Sequence, residues 1–252
     1  MMPAIRSAWS RVTGRLFVGQ WLGNLVLMLL AACWLQIPDS HAWQFAVSMI
    51  SSVLLVIAFL WLYAASFRHL RTCRRPKWWQ SCLLLAVFVV VWWLLLQPTA
   101  AGRAREAIFA GYWNSQSPPW LRHLFGYSSL IAWQERFYDC VQWLLAGLLL
   151  PPAIELCACG LHRDWLGCAA AVYRRWFYWL CVLVFGFGGT ALTGALADWA
   201  PAAGLLGQSL SVAARLGAAY TVDILLWCFL LGLIGCYLDS HASVQSKQEQ
   251  PQ

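Results

Sequence analysis

Trp78–Leu96 reads WWQSCLLLAVFVVVWWLLL, an apolar run without a charged residue. At about 1.5 Å per residue, a helix of this length matches the roughly 30 Å hydrocarbon layer of a bilayer. Lipid offers no partner to backbone N–H and C=O groups, so such a run must pair them within itself, as a helix does. A transmembrane barrel would need short segments of alternating polarity, and the chain has none.

Five similar runs accompany it, giving predicted spans at Leu16–Leu35, Trp43–Ala65, Trp78–Leu96, Phe137–Cys157, Trp176–Ala197 and Leu216–Tyr237. Composition agrees. Apolar residues make up 61% of the 252-residue chain and charged residues 11%, against about a quarter charged in soluble domains. The expected fold is an all-α integral membrane protein, a bundle of about six transmembrane helices with interfacial amphipathic helices. Residues 1–239 would form the transmembrane domain and 240–252 a polar cytoplasmic tail.

Lys and Arg alternate between loops, which sets orientation. Arg6, Arg11 and Arg15 precede the first span, Arg68, Arg71, Arg74, Arg75 and Lys77 follow the second, and Arg163, Arg174 and Arg175 follow the fourth. The loop Ile37–Ala42 carries Asp39 and no Lys or Arg. The basic loops and both termini are therefore expected in the cytoplasm, in a bacterial-type inner (plasma) membrane. The formal charge of +7 reads as topology signal and contact with anionic lipid, with no nucleic-acid partner.

Leu30-Ala31-Ala32-Cys33 resembles the lipobox of bacterial lipoprotein signal peptides, and the resemblance implies lipidation of Cys33. Trp34, Leu35 and the later spans continue the apolar pattern, so retention of the first span is expected. A further likeness, Arg74-Arg75-Pro-Lys-Trp78-Trp79 against Arg174-Arg175-Trp176-Phe177-Tyr178-Trp179, needs only basic residues followed by an aromatic belt. Many of the 18 tryptophans sit at span ends (Trp43, Trp61, Trp78, Trp79, Trp92, Trp93, Trp176 and Trp179) and read as interfacial anchors rather than as a ligand pocket.

Small residues mark helix contacts in lipid. Gly19 and Gly23 lie beside Gln20 and Asn24 in span one, and Gly186, Thr190 and Gly194 share a face of span five. These two spans are expected to meet each other or a partner protein. Pro151-Pro152 should bend or break span four.

Charges inside spans are costly and mark candidate sites. Asp223 is the foremost, with Arg215, Arg136 and Asp139 as possible partners. The carboxylate either binds a proton or ion, or belongs to an ion pair that fixes helix register. Glu155, about 27 Å along span four, falls near the inner interface. The group Cys157, Cys159, His162 and Cys168 contains soft ligands, but the spacing matches no familiar zinc or haem pattern, and helix-end packing is the expectation. No metal and no cofactor is expected.

The long connection Gln97–Arg136 should hold a short helix at Arg103–Trp113, a break at Ser117-Pro118-Pro119 and an amphipathic turn at Trp120–Phe125. Leu161–Tyr173 reads as an interfacial helix on the opposite side. No H-E-x-x-H, Walker loop or G-x-S-x-G is present, which leans against an enzyme. The residues point first to a non-catalytic membrane subunit or scaffold, with the bilayer and a membrane-protein partner or second copy as partners. A small permease or ion-coupled transporter using Asp223 comes next, and a membrane enzyme with scattered residues third.

Overall fold

The computed structural model describes residues 2–12, 14–38, 40–71, 76–124, 126–162, 164–198 and 205–248, all in helices, turns or short connections. The basic residues Arg74, Arg75 and Arg163, and Cys73 and Asp39, lie outside the described residues. The helices are α1 (Met2–Arg11), α2 (Gly14–Leu35), α3 (Ala42–His69), α4 (Trp78–Ala104), α5 (Glu106–Gln116), α6 (Pro119–Leu124), α7 (Tyr127–Cys159), α8 (Trp165–Tyr173), α9 (Trp176–Asp198) and α10 (Leu205–Gln248). Six of them, α2, α3, α4, α7, α9 and α10, are long and apolar enough to cross a membrane. The fold is an all-α membrane bundle.

Several spans outrun their apolar cores. α4 continues to Ala104, α7 begins at Tyr127, and α10 runs through Gln248. Hydropathy marks the stretch that suits hydrocarbon, whereas a helix ends where its backbone finds no further partners. The long connection between α4 and α7 holds α5 and α6, and α5 packs against α7. α8 packs into the bundle. Its Cys168, Ala169 and Val172 are buried and it docks on α7, α9 and α10, while Leu161, from the same expected stripe, is exposed.

α7 and α10 form the centre, with about half of their most apolar stretches buried inside the bundle. α7 stays helical through Pro151 and Pro152, both buried, so the prolines do not break it. The reason lies in two tyrosines. A proline at position i leaves the carbonyl of i−4 without its helical donor, so Pro151 frees Gly147 O and Pro152 frees Leu148 O. Tyr178 Oη donates to Gly147 O at 2.5 Å, and Tyr173 Oη donates to Leu148 O. Both carbonyls are satisfied from outside the helix, as a lipid-embedded backbone requires.

Small residues set the close approaches. Leu62 of α3 lies against Gly23 of α2, and the indole of Trp143 on α7 fills the space beside Gly186 on α9. The glycine faces of spans one and five thus meet α3 and α7. α2 packs against α3 and α10, and α9 against α7, α8 and α10.

Tyr178→Phe is expected to lower stability by about 1–3 kcal/mol, because it leaves a buried carbonyl unsatisfied. Thermal unfolding in detergent would measure it. Tyr178→Phe melting like the parent chain would show that the hydroxyl is dispensable to α7.

Candidate functional site

Four helices bring charges to one end of the bundle. Arg71, at the end of α3, is buried with its guanidinium divided between two acids: Nη2 donates to Glu155 Oε1 of α7 at 2.9 Å, and Nη1 pairs with Asp239 Oδ1 of α10. Arg11 of α1 reaches the other oxygen of Asp239 at 2.5 Å and the Leu70 carbonyl at 3.3 Å. Two guanidinium groups and two carboxylates balance, which a buried ionic cluster requires if desolvation is not to dominate. Glu155 is 1% exposed, making it the most deeply buried acid among the described residues.

Further groups adjoin the cluster, one of them a third guanidinium. Arg68 stands over the Trp78 ring at 4.5 Å and donates to Pro76 O and Ser81 Oγ. Ser81 Oγ donates to Cys157 O at 2.8 Å, tying α4 to α7. His162 follows Gly160, the chain's one described positive-φ glycine, at φ 76 and ψ −178. That conformation is essentially confined to glycine, and it turns the chain back so that His162 Nε2 lies 3.5 Å from Glu155 Oε1. Cys168 of α8 faces the same carboxylate. Burial, reinforced by Glu155 and Asp164, pushes its thiol pKa up to about 11, so it carries its proton at neutral pH.

Outward from this cluster, two adjoining cavities of about 380 and 270 Å³ lie between α3, α4, α7, α9 and α10. They share Tyr63, Trp143, Thr190 and Trp227. The larger runs along α7 from Ala153 to Asp139, and the smaller contains Asp223. Asp139 and Asp223 each sit sixteen residues outward of a cluster acid, Glu155 and Asp239 respectively, or about 24 Å along the helix. Asp139 is paired with Arg103 at 2.5 Å. Asp223 makes no ion pair or hydrogen bond among the described residues. Trp227, one turn along the same face of α10, has its indole N–H buried and unpartnered.

The expected partners of Asp223 are placed elsewhere. Arg215 is buried, with its guanidinium on the carbonyls of Ser211 and Leu196, and Arg136 stands over the Trp133 ring at 5.8 Å. Gln20 donates to Ser66, Asn24 donates to Gln20 Oε1 at 2.9 Å, and Tyr63 donates to Asn24 Oδ1 at 3.1 Å. This polar ladder joins α2 to a cavity wall. Thr190 lines both cavities, whereas Gly19 and Gly194 face open space. Of the cysteine group, Cys157 Sγ turns to Ser81 O and Cys159 is disulfide-bonded.

Sequence reasoning read Arg11 and Arg71 as topology signals, passed over Asp239, and treated tryptophans as belt residues. Their signal is weak because the cluster draws single residues from four separate stretches. No family model matches the chain, and no curated protein or solved structure matches it.

Arg71→Met should destabilise the protein by about 3–5 kcal/mol by stranding the Glu155 charge, while Arg71→Met with Glu155→Met should recover much of that loss. A double-mutant cycle on unfolding midpoints tests this. Strict additivity of the two effects would mean that the pair does not act as a unit.

Proposed function

We propose that this protein is a small membrane carrier whose cleft binds an amphipathic organic cation, with Asp223 as the ion-binding group. The observation that carries the reading is the unpartnered Asp223 carboxylate beside the unpartnered Trp227 N–H in a cleft walled by aromatic rings. An ionised acid at membrane depth is costly unless a cation or a proton neutralises it. A substrate amine supplies the first, and Tyr63, Trp143 and Trp227 line the cleft with rings of the kind that attract a cation. The Trp227 N–H suits a hydrogen-bond acceptor elsewhere on the substrate. Proton and substrate then compete for one carboxylate, which is the basis of exchange transport.

The Arg71–Glu155–Asp239 cluster closes the inner end of this cleft. Its pairs would have to separate for release on that side, so the cluster is read as an ionic gate. The alternating basic loops support a cytoplasmic position for that end in a plasma-type membrane. The disulfide at Cys159 pulls the other way, since cytoplasmic thiols stay reduced. Labelling Leu161→Cys, an exposed position beside the cluster, with an impermeant maleimide on intact cells decides the orientation. Protection from label is the expected outcome.

A second reading, a non-catalytic subunit of a membrane complex or a homo-oligomer, draws on α3, whose most apolar stretch has none of its residues buried in the bundle. That face meets either lipid or a partner helix.

Transport of ethidium, an aromatic cation, into proteoliposomes with an imposed proton gradient separates the readings. The parent chain is expected to accumulate it, and Asp223→Asn to lose about tenfold or more of the rate at equal reconstitution. Equal transport by Asp223→Asn would overturn the role of the acid. Failure of the parent chain to bind or move any of a panel of aromatic cations, together with stoichiometric co-purification of another membrane protein, would favour the subunit reading.

A further inference from the structure

We infer that Glu155, His162 and Cys168 form a binding site for a divalent transition metal of the zinc class at the inner end of the bundle. One ligand atom from each lies within 4.8 Å of the others. The set offers one oxygen, one nitrogen and one sulfur, a mixture that suits zinc and its neighbours rather than magnesium or calcium.

The histidine is oriented as a ligand. Its Nδ1 lies 3.0 Å from Gly160 O, and a carbonyl can only accept, so Nδ1 carries the hydrogen. In the neutral ring, Nε2 is then a bare lone pair, and it faces a carboxylate oxygen at 3.5 Å. That lone pair and the carboxylate's other oxygen, Oε2, are the two donors left for a metal, at the roughly 2.0–2.2 Å bond lengths of zinc sites. The Nδ1–H to backbone carbonyl contact is the outer support that metal-bound histidines commonly have.

A second observation points to a ligand independently. Glu155 is 1% exposed, yet its Oε2 has no hydrogen-bond partner. Arg71 occupies Oε1, so the orphan oxygen is free to bind a metal while the ion pair stays in place. Binding displaces the Cys168 proton to solvent, so the thiolate offsets one charge of the ion and the balanced set of Arg11, Arg71, Glu155 and Asp239 gains the other. His162 is about one-third exposed, which provides an entry path and room for water as a fourth ligand. Gly160 makes the arrangement possible, because a side chain there would oppose the positive φ that returns His162 over the helix end.

The site shares Glu155 with the proposed gate but does not depend on transport. Purified full-length protein in detergent, stripped with chelator, would be titrated with Co²⁺ as the spectroscopic stand-in. One equivalent should give visible d–d bands of tetrahedral intensity and a near-ultraviolet thiolate-to-cobalt band. Cys168→Ser should lose the thiolate band, and His162→Gln should weaken binding by about tenfold or more. Both variants leave the Arg71–Glu155 pair intact, and Cys33→Ser, at an exposed remote position, should bind as the parent does. Zn²⁺ should raise the unfolding temperature of the parent chain and not of Cys168→Ser. Absence of saturable binding by the parent chain, or an unchanged thiolate band in Cys168→Ser, would overturn the site whatever the transport result.

Discussion

The Arg71 guanidinium holds Glu155 and Asp239 at once, and most of the molecule's arrangement depends on that sharing. It joins the ends of α3, α7 and α10, and through Arg11 it also fastens α1. Hydrophobic burial cannot order helices against one another in lipid as it does in water, because the solvent is itself apolar. Directional contacts must supply the specificity, and a balanced buried ion cluster is strongly directional. It also gathers α1, a late stretch of α10 and the ends of α3 and α7 at one end of the bundle.

The same logic governs α7. Two adjacent prolines would leave two carbonyls unsatisfied in a medium with no donors, and tyrosines from α8 and α9 supply them. The helix therefore continues to Cys159, where Gly160 turns the chain and brings His162 back toward Glu155. Had α7 ended at Pro151, Glu155 would not stand on the same rigid element as Asp139. The cleft between the ion cluster and that outer acid exists because α7 is continuous along it. Its walls are aromatic because Trp143 fills the space beside Gly186 and Trp227 and Tyr63 line the same cavity.

The membrane architecture was legible from Trp78–Leu96 and its five companions, since length and apolarity answer directly to bilayer thickness. Asp223 was legible too, because a lone acid inside an apolar run is visible without coordinates. Its surroundings were not. Arg215, near in sequence, turns to backbone carbonyls, while Trp227 is a neighbour that looked like one tryptophan among many. Glu155 was visible from its position along span four, but its burial against Arg71 and α8 was not.

By itself, the sequence determined the helical class, the number of apolar crossings and the alternation of basic loops, because each is a property of a continuous stretch measured against a slab of hydrocarbon. Only the tertiary structure decided which charges meet. Arg11, Arg71, Glu155, His162, Cys168 and Asp239 come from separate stretches, and no local periodicity links them. Their proximity follows from how the helices pack, and packing in lipid is set by pairwise contacts that a linear reading does not contain.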